Sequence, residues 1–121
     1  MAKYMMLLGG ADLDKRSGNA QLAPAMFERY AKWLKSLRDS GQYAGSYKLQ
    51  DQTGTRLTIR GGEVVEGPYV ESKEAIGGIF IVETQSLEEA TRIAHGCPIF
   101  DLQNGYVEVR VLEEVRPPAA S

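Results

Sequence analysis

Two amphipathic helical patterns interleaved with strand-like runs predict an α+β domain of the ferredoxin-like βαββαβ kind, a sandwich with a central loop or hairpin insertion. Three observations carry that expectation. Short apolar runs stop at glycine pairs, two helical periodicities have recognisable ends, and the last regular segment alternates strictly between apolar and polar residues.

The first run, Tyr4 to Leu8, is almost continuously apolar and stops at Gly9 and Gly10, which suits a strand buried on both faces. Ala11 to Ala23 holds Asp12, Asp14, Ser17, Gly18 and Asn19, residues that favour turns, and reads as a long loop. Its acidic start does not make a calcium loop: Arg16 occupies a ligand position, Ser17 stands where glycine is required, and Ala23 replaces the terminal glutamate.

Pro24 opens a helix whose apolar stripe is expected at Phe27, Tyr30, Ala31, Leu34 and Leu37, with Gly41 as the left-handed cap. Tyr43 to Leu49 and Thr55 to Arg60 are expected to pair as a hairpin around Asp51 to Gly54. Gly61 and Gly62 then turn the chain into a short strand at Val64 and Val65, ahead of a Gly67-Pro68 turn.

Gly77 to Glu83 places Ile79 and Ile81 on one face and Phe80 and Val82 on the other. Ser86 and Glu89 form a capping box for a second helix with Leu87, Ala90, Ile93 and Ala94 inward, ending near Gly96 and Pro98. Tyr106 to Leu112 is the final strand, with Val107, Val109 and Val111 on its dry face. Residues 1–115 form one domain on this reading, and 116–121, with its Pro-Pro pair, a flexible tail. Two helices cover one face of such a sheet, yet two of its strands are apolar on both faces. A second copy packed sheet to sheet is the expected remedy, so a homodimer is the expected state.

Composition narrows the function classes. With 43% hydrophobic and 25% charged residues the chain has the profile of an ordinary folded, water-soluble domain. A net charge of -2, from 14 basic and 16 acidic residues, gives no field for nucleic acid or an anionic membrane. No apolar run approaches the roughly 20 residues of a membrane span. The single cysteine, Cys97, excludes an internal disulfide and a multi-thiolate zinc site, and fits the reducing cytoplasm. One histidine leaves any metal site to carboxylates alone. The glycine pairs match neither the dinucleotide fingerprint nor the P-loop, so no metal and no cofactor is expected.

The densest chemistry lies in the central loop. Glu66, Tyr69, Glu71 and Lys73 bring acids, a phenol and a cation close together in sequence, a mixture suited to binding a small polar ligand or moving a proton. The same residues also fit a turn with a solvated ion-pair face. His95 is the sole imidazole and a candidate acid or base, although the last turn of a helix also favours a partly cationic ring for structural reasons. Asp101, six residues on, could orient it. Cys97 reads as a small buried hydrophobe, Tyr30 and Trp33 as packing residues, and Tyr4, Tyr69 and Tyr106 as ligand contacts if they share a cleft.

The segment Glu66-Gly67-Pro68-Tyr69-Val70-Glu71-Ser72-Lys73-Glu74-Ala75-Ile76-Gly77-Gly78-Ile79 resembles the signature of the YCII-related proteins of the DGPF type. Lys3 to Leu8, Cys97-Pro98, and Gly105 to Arg110 resemble the same family at the same relative positions. The name-giving Asp-Gly-Pro-Phe appears here as Glu66-Gly67-Pro68-Tyr69, with a longer acid and an added hydroxyl. The resemblance implies a bacterial protein, a dimeric α/β-barrel type assembly, and a cleft between sheet and loops. It also implies a suspected enzymatic role resting on a His and Asp pair. Members of the DGPF branch also resemble companions of extracytoplasmic-function sigma factors. Two functions are therefore expected in competition: a dimeric small-molecule-binding protein of the acid-base, cofactor-independent kind, and a regulatory protein that docks on another protein.

Overall fold

A computed structural model describes residues 1–10, 24–49, 54–67, 76–102 and 104–119. The elements run β1 (Ala2–Gly9), α1 (Pro24–Asp39), β2 (Tyr43–Lys48), β3 (Arg56–Arg60), β4 (Glu63–Gly67), β5 (Ile76–Thr84), α2 (Leu87–His95), a 3₁₀ turn (Pro98–Asp101) and β6 (Tyr106–Val111). The strands β2, β5, β1 and β6 form one sheet in that order, and β3 and β4 form a separate two-stranded sheet. Every pairing is antiparallel. With the hairpin set aside, this is the α+β ferredoxin-like order.

Alternation along the strands decides the two faces. Tyr4, Met6 and Leu8 of β1 are buried, with Val82 and Thr84 of β5 beside them. Leu37 of α1 and Ala90 and Ala94 of α2 close over these residues. Each fully buried side chain of the size of Met6 or Val82 contributes about 1.5–3 kcal/mol relative to exposure. The small residues of α2 let that helix lie close to the sheet.

α1 meets the sheet along a rotated stripe. Phe27 is 59% exposed and Ala31 is exposed, whereas Tyr30, Trp33 and Leu34 are half-buried and Leu37 is buried. The indole accounts for the rotation: Trp33 meets the ring of Phe80 edge-on at 5.1 Å, and Tyr30 stacks on the same ring at 6.3 Å. Such ring pairs add about 0.5–1.5 kcal/mol beyond burial. Gly41 ends the helix as expected, at φ +78. Its N–H donates to the carbonyl of Arg38, and that of Gln42 donates to the carbonyl of Leu37, the two bonds of a Schellman cap.

The expected hairpin between 43–49 and 55–60 does not form. β2 pairs instead with β5, and β3 pairs with β4 from Arg56↔Gly67 to Arg60↔Glu63. The reason is the two-residue loop Gly61-Gly62, with φ +56 and +81 at its two positions. Positive φ at both central residues is the turn that matches strand twist, and only glycine adopts it without strain.

The α2 cap is half of the expected box. The N–H of Glu89 donates to Ser86 Oγ at 3.1 Å, but the Glu89 carboxylate accepts from Gln42 Nε2 at 2.9 Å. Gln42 thereby ties the end of α1 to the start of α2.

Candidate functional site

The sheet face turned away from the helices is apolar at its centre. Cross-strand register sets Tyr47, Ile79, Leu7 and Glu108 in one row and Gly45, Ile81, Met5 and Arg110 in the next. Met5, Leu7, Ile79 and Ile81 are all half-buried. Glu108 and Arg110 pair with each other at 3.1 Å on the β6 side, and Tyr47 stands 64% exposed on the β2 side. An apolar floor with phenols and an ion pair at its margins can hold a small organic molecule with polar groups.

One end of this face is built with unusually close backbone. Gly9 pairs with Tyr106, and the phenol ring lies over the glycine, so that a Cβ there would stand 2.5 Å from the hydroxyl oxygen. Gly10, at φ +144, lies against the Asn104 carbonyl, where a Cβ would stand at 2.4 Å. At Gly105 a Cβ would meet the Ile99 carbonyl at 2.5 Å. Asn104 takes φ +64, a conformation asparagine tolerates better than most residues. These contacts fix the turn that delivers Tyr106 to the open face. β5 starts and α2 ends at this same end of the domain, because β1 runs antiparallel to both β5 and β6.

The residues singled out from the sequence are distributed as follows. His95 is exposed in the last turn of α2, within the helical layer. Asp101 does not orient it; the Asp101 carboxylate pairs with the guanidinium of Arg29, which ties the 3₁₀ turn to α1. Among the described residues no hydrogen bond or ion pair links Asp101 to His95. Glu66 is exposed on β4, opposite Leu57. Tyr69, Glu71 and Lys73 lie outside the described residues, as does the Asp12–Asp14 segment. Tyr4 and Tyr106 do not share a cleft: Tyr4 is 5% exposed under the helices, and the register turns Tyr106 to the opposite face.

Cys97 is buried, and burial pushes its thiol pKa up, against opposing hydrogen bonds from the Ile99 backbone and the Tyr30 side chain. A neutral thiol in that place is a packing residue and no nucleophile. Among the described residues no three His, Cys, Asp or Glu side chains gather as a metal site, and no helix is long and apolar enough to cross a membrane.

The sequence reading missed the pairing of Gly9 with Tyr106 and the roles of Tyr47 and Arg29. A glycine across from an aromatic residue on a neighbouring strand is a known packing device, but it shows only once register is known. Arg29 belonged to the polar side of its helix, and nothing local distinguished it from Lys32 or Lys35.

Fold and site together define an α+β domain with helices on one sheet face and an apolar, tyrosine-bordered surface on the other. The chain belongs to the YCII-related family, whose domain matches residues 3–116. Among solved structures it is similar to the 5-chloro-2-hydroxyhydroquinone dehydrochlorinase of Burkholderia phenoliruptrix AC1100, determined in complex with 2,5-dihydroxybenzoquinone. That likeness has a TM-score of 0.50 at 14% identity, over 93% of this chain and 95% of the other, and it supports the fold alone. No protein among those of curated function matches the sequence. Neither likeness lends support to a role beside sigma factors.

Proposed function

We propose that this chain is a DGPF-type member of its family that works as a homodimer and binds a small polar organic molecule between its facing sheets, where it carries out cofactor-independent acid-base chemistry. The observation that carries this reading is the placement of Tyr106. Its ring is seated on Gly9 at one end of an otherwise apolar floor, with its phenol turned to the open face. A phenol offers a ring to pack against and a hydroxyl to donate or accept, which suits recognition of a polar group on a flat ligand.

A second copy laid over Met5, Leu7, Ile79 and Ile81 would exclude water from the floor and strengthen each polar contact at its margin. Lys73 and Glu71 precede Ile76, the first residue of β5, by three and five positions in the sequence. They are the proposed cation and acid of the site, with Glu66 and Tyr69 as further ligand contacts. His95, exposed in the helical layer on the other side of the sheet, is left out of the site. Asp101, held by Arg29, is left out of the proton-transfer set.

Thermal melting against a broad metabolite library tests the reading. A ligand that binds only the native state raises the melting temperature. The expected result is a reproducible upward shift with at least one compound, lost in Tyr106→Ala and Lys73→Ala. A library that shifts nothing, or shifts that both variants keep in full, would count against it.

A further inference from the structure

The four-stranded sheet is bordered by β2 and β6, and the two edges differ. β2 is irregular between Tyr43 and Gly45, with Gly45 at φ +145. A bulge of this kind twists an edge away from further pairing. β6 has none: its six residues hold one register against β1, and no proline interrupts them. The N–H of Leu112 donates to the carbonyl of Lys3, and in an antiparallel ladder such bonded pairs recur at every second residue. The backbones of Glu108 and Arg110 therefore bond to β1. Those of Val107, Val109 and Val111 point outward, to a side where no strand lies among the described residues.

We propose that the β6 edge pairs antiparallel with the β6 edge of a second copy of the chain, about a two-fold axis at Val109. The side chains select both this occupant and this register. With Val109 opposite its own copy, Val107 lies opposite Val111 and Glu108 opposite Arg110, each pair formed twice. The faces also match, because the valines extend the dry side of the sheet and the charges stay on its open side. Val111, 57% exposed in the single chain, gains a β-branched neighbour. The pairing of Glu108 with Arg110 inside each strand is kept, and the four charges alternate in sign around the axis, so each meets two of opposite sign. Moving the axis by one residue sets Glu108 against Glu108 or Arg110 against Arg110, and like charges directly opposite are destabilising.

This contact goes beyond the homodimer proposed above, which uses the face of the sheet and not its edge. One strand edge of six residues is a small contact of the weak, transient class, and its association is expected near about 1 mM.

Sedimentation equilibrium and amide hydrogen exchange between about 0.1 and 1 mM test the proposal on the wild type, Glu108→Arg, Arg110→Glu and the double reversal. The two side chains are 53% and 68% exposed, so the variants keep their fold, which circular dichroism checks. For the wild type the expected result is a weight-average mass that rises over this range. The amides of Val107, Val109 and Val111 should slow with it, while those of Glu108 and Arg110 are protected throughout. Each single reversal should weaken the association at least about tenfold. The double reversal should restore it, and so should an equimolar mixture of the two single variants, because every cross-strand pair is then again of opposite sign. Outward amides that exchange equally fast at both concentrations overturn the proposal, whatever the state of the sheet face. Single reversals that associate as tightly as the wild type overturn the register and with it the pairing. A wild type that is dimeric at about 0.1 mM and gains no further mass keeps the face contact and loses the edge contact.

Discussion

The ring of Tyr106 fills the space that a side chain at Gly9 would need, with the phenol carbon Cζ 2.6 Å from the place of the missing Cβ. This pair couples two strands that are far apart in sequence, and it sets where the phenol stands on the open face. Its consequences differ from those of the neighbouring glycines.

Gly9→Ala meets the far end of a flexible side chain, which can swing aside. Gly105→Ala meets the Ile99 backbone carbonyl, which cannot. The first should cost about 1 kcal/mol or less and displace Tyr106; the second should cost about 2–3 kcal/mol through overpacking. Urea unfolding of both variants checks the order, and equal costs would mean that the ring is not free to move.

At the start of α2, Ser86→Ala should cost about 1 kcal/mol by removing the acceptor for the Glu89 N–H. Gln42→Ala and Glu89→Ala should be non-additive, because their side chains share one hydrogen bond. A double-mutant cycle reads the coupling, expected at about 0.5–1.5 kcal/mol. A coupling of zero would show that the tie between the two helices is not kept in solution.

Arg29→Ala and Asp101→Ala should each cost little, because the pair is solvent-accessible, with side chains 56% and 33% exposed. Exposed pairs couple by about 0.2–1 kcal/mol and weaken with salt. A cycle measured at low and high ionic strength tests this. Coupling that does not fall with salt would point to a buried bond.

Cys97 gives the expected pH dependence at the alkaline side. Burial raises its pKa in the folded state, so the folded chain keeps the thiol proton at a pH where the unfolded chain, titrating near about 8.5, has lost it. Above that value the unfolded state binds fewer protons, and stability falls as pH rises through the folded-state pKa. The contribution is fully present below the unfolded value. Cys97→Ala should flatten the decline of unfolding free energy above about pH 8. An equally steep decline in the variant would assign the effect to other groups.

Much of the fold was readable because its signals are local. Gly41, the Ser86 cap, and the alternation of Ile79 and Ile81 against Phe80 and Val82 each follow from a few neighbouring residues and hold in the structure. Strand partners are not local. The turn residues at 51–54 competed with Gly61-Gly62 for the hairpin, and the two-residue loop with positive φ prevailed. The α1 stripe was displaced because Trp33 found Phe80, a contact that no helical wheel contains. At the site, the kinds of residue were legible and their grouping was not. Tyr106, Gly9 and Asp101 each stood out in the sequence, but register alone joins the first two, and a helix 72 residues away claims the third.

The central claim is that the apolar face of the sheet is covered by a second copy of the chain. Sedimentation equilibrium of the wild type and of Leu7→Glu, at concentrations up to about 100 µM, tests it most directly, since that range detects association free energies down to about -5.5 kcal/mol. The expected result is a dimeric wild type and a folded, monomeric Leu7→Glu. A wild type that remains monomeric throughout, or a Leu7→Glu variant that dimerises as the wild type does, would contradict the claim.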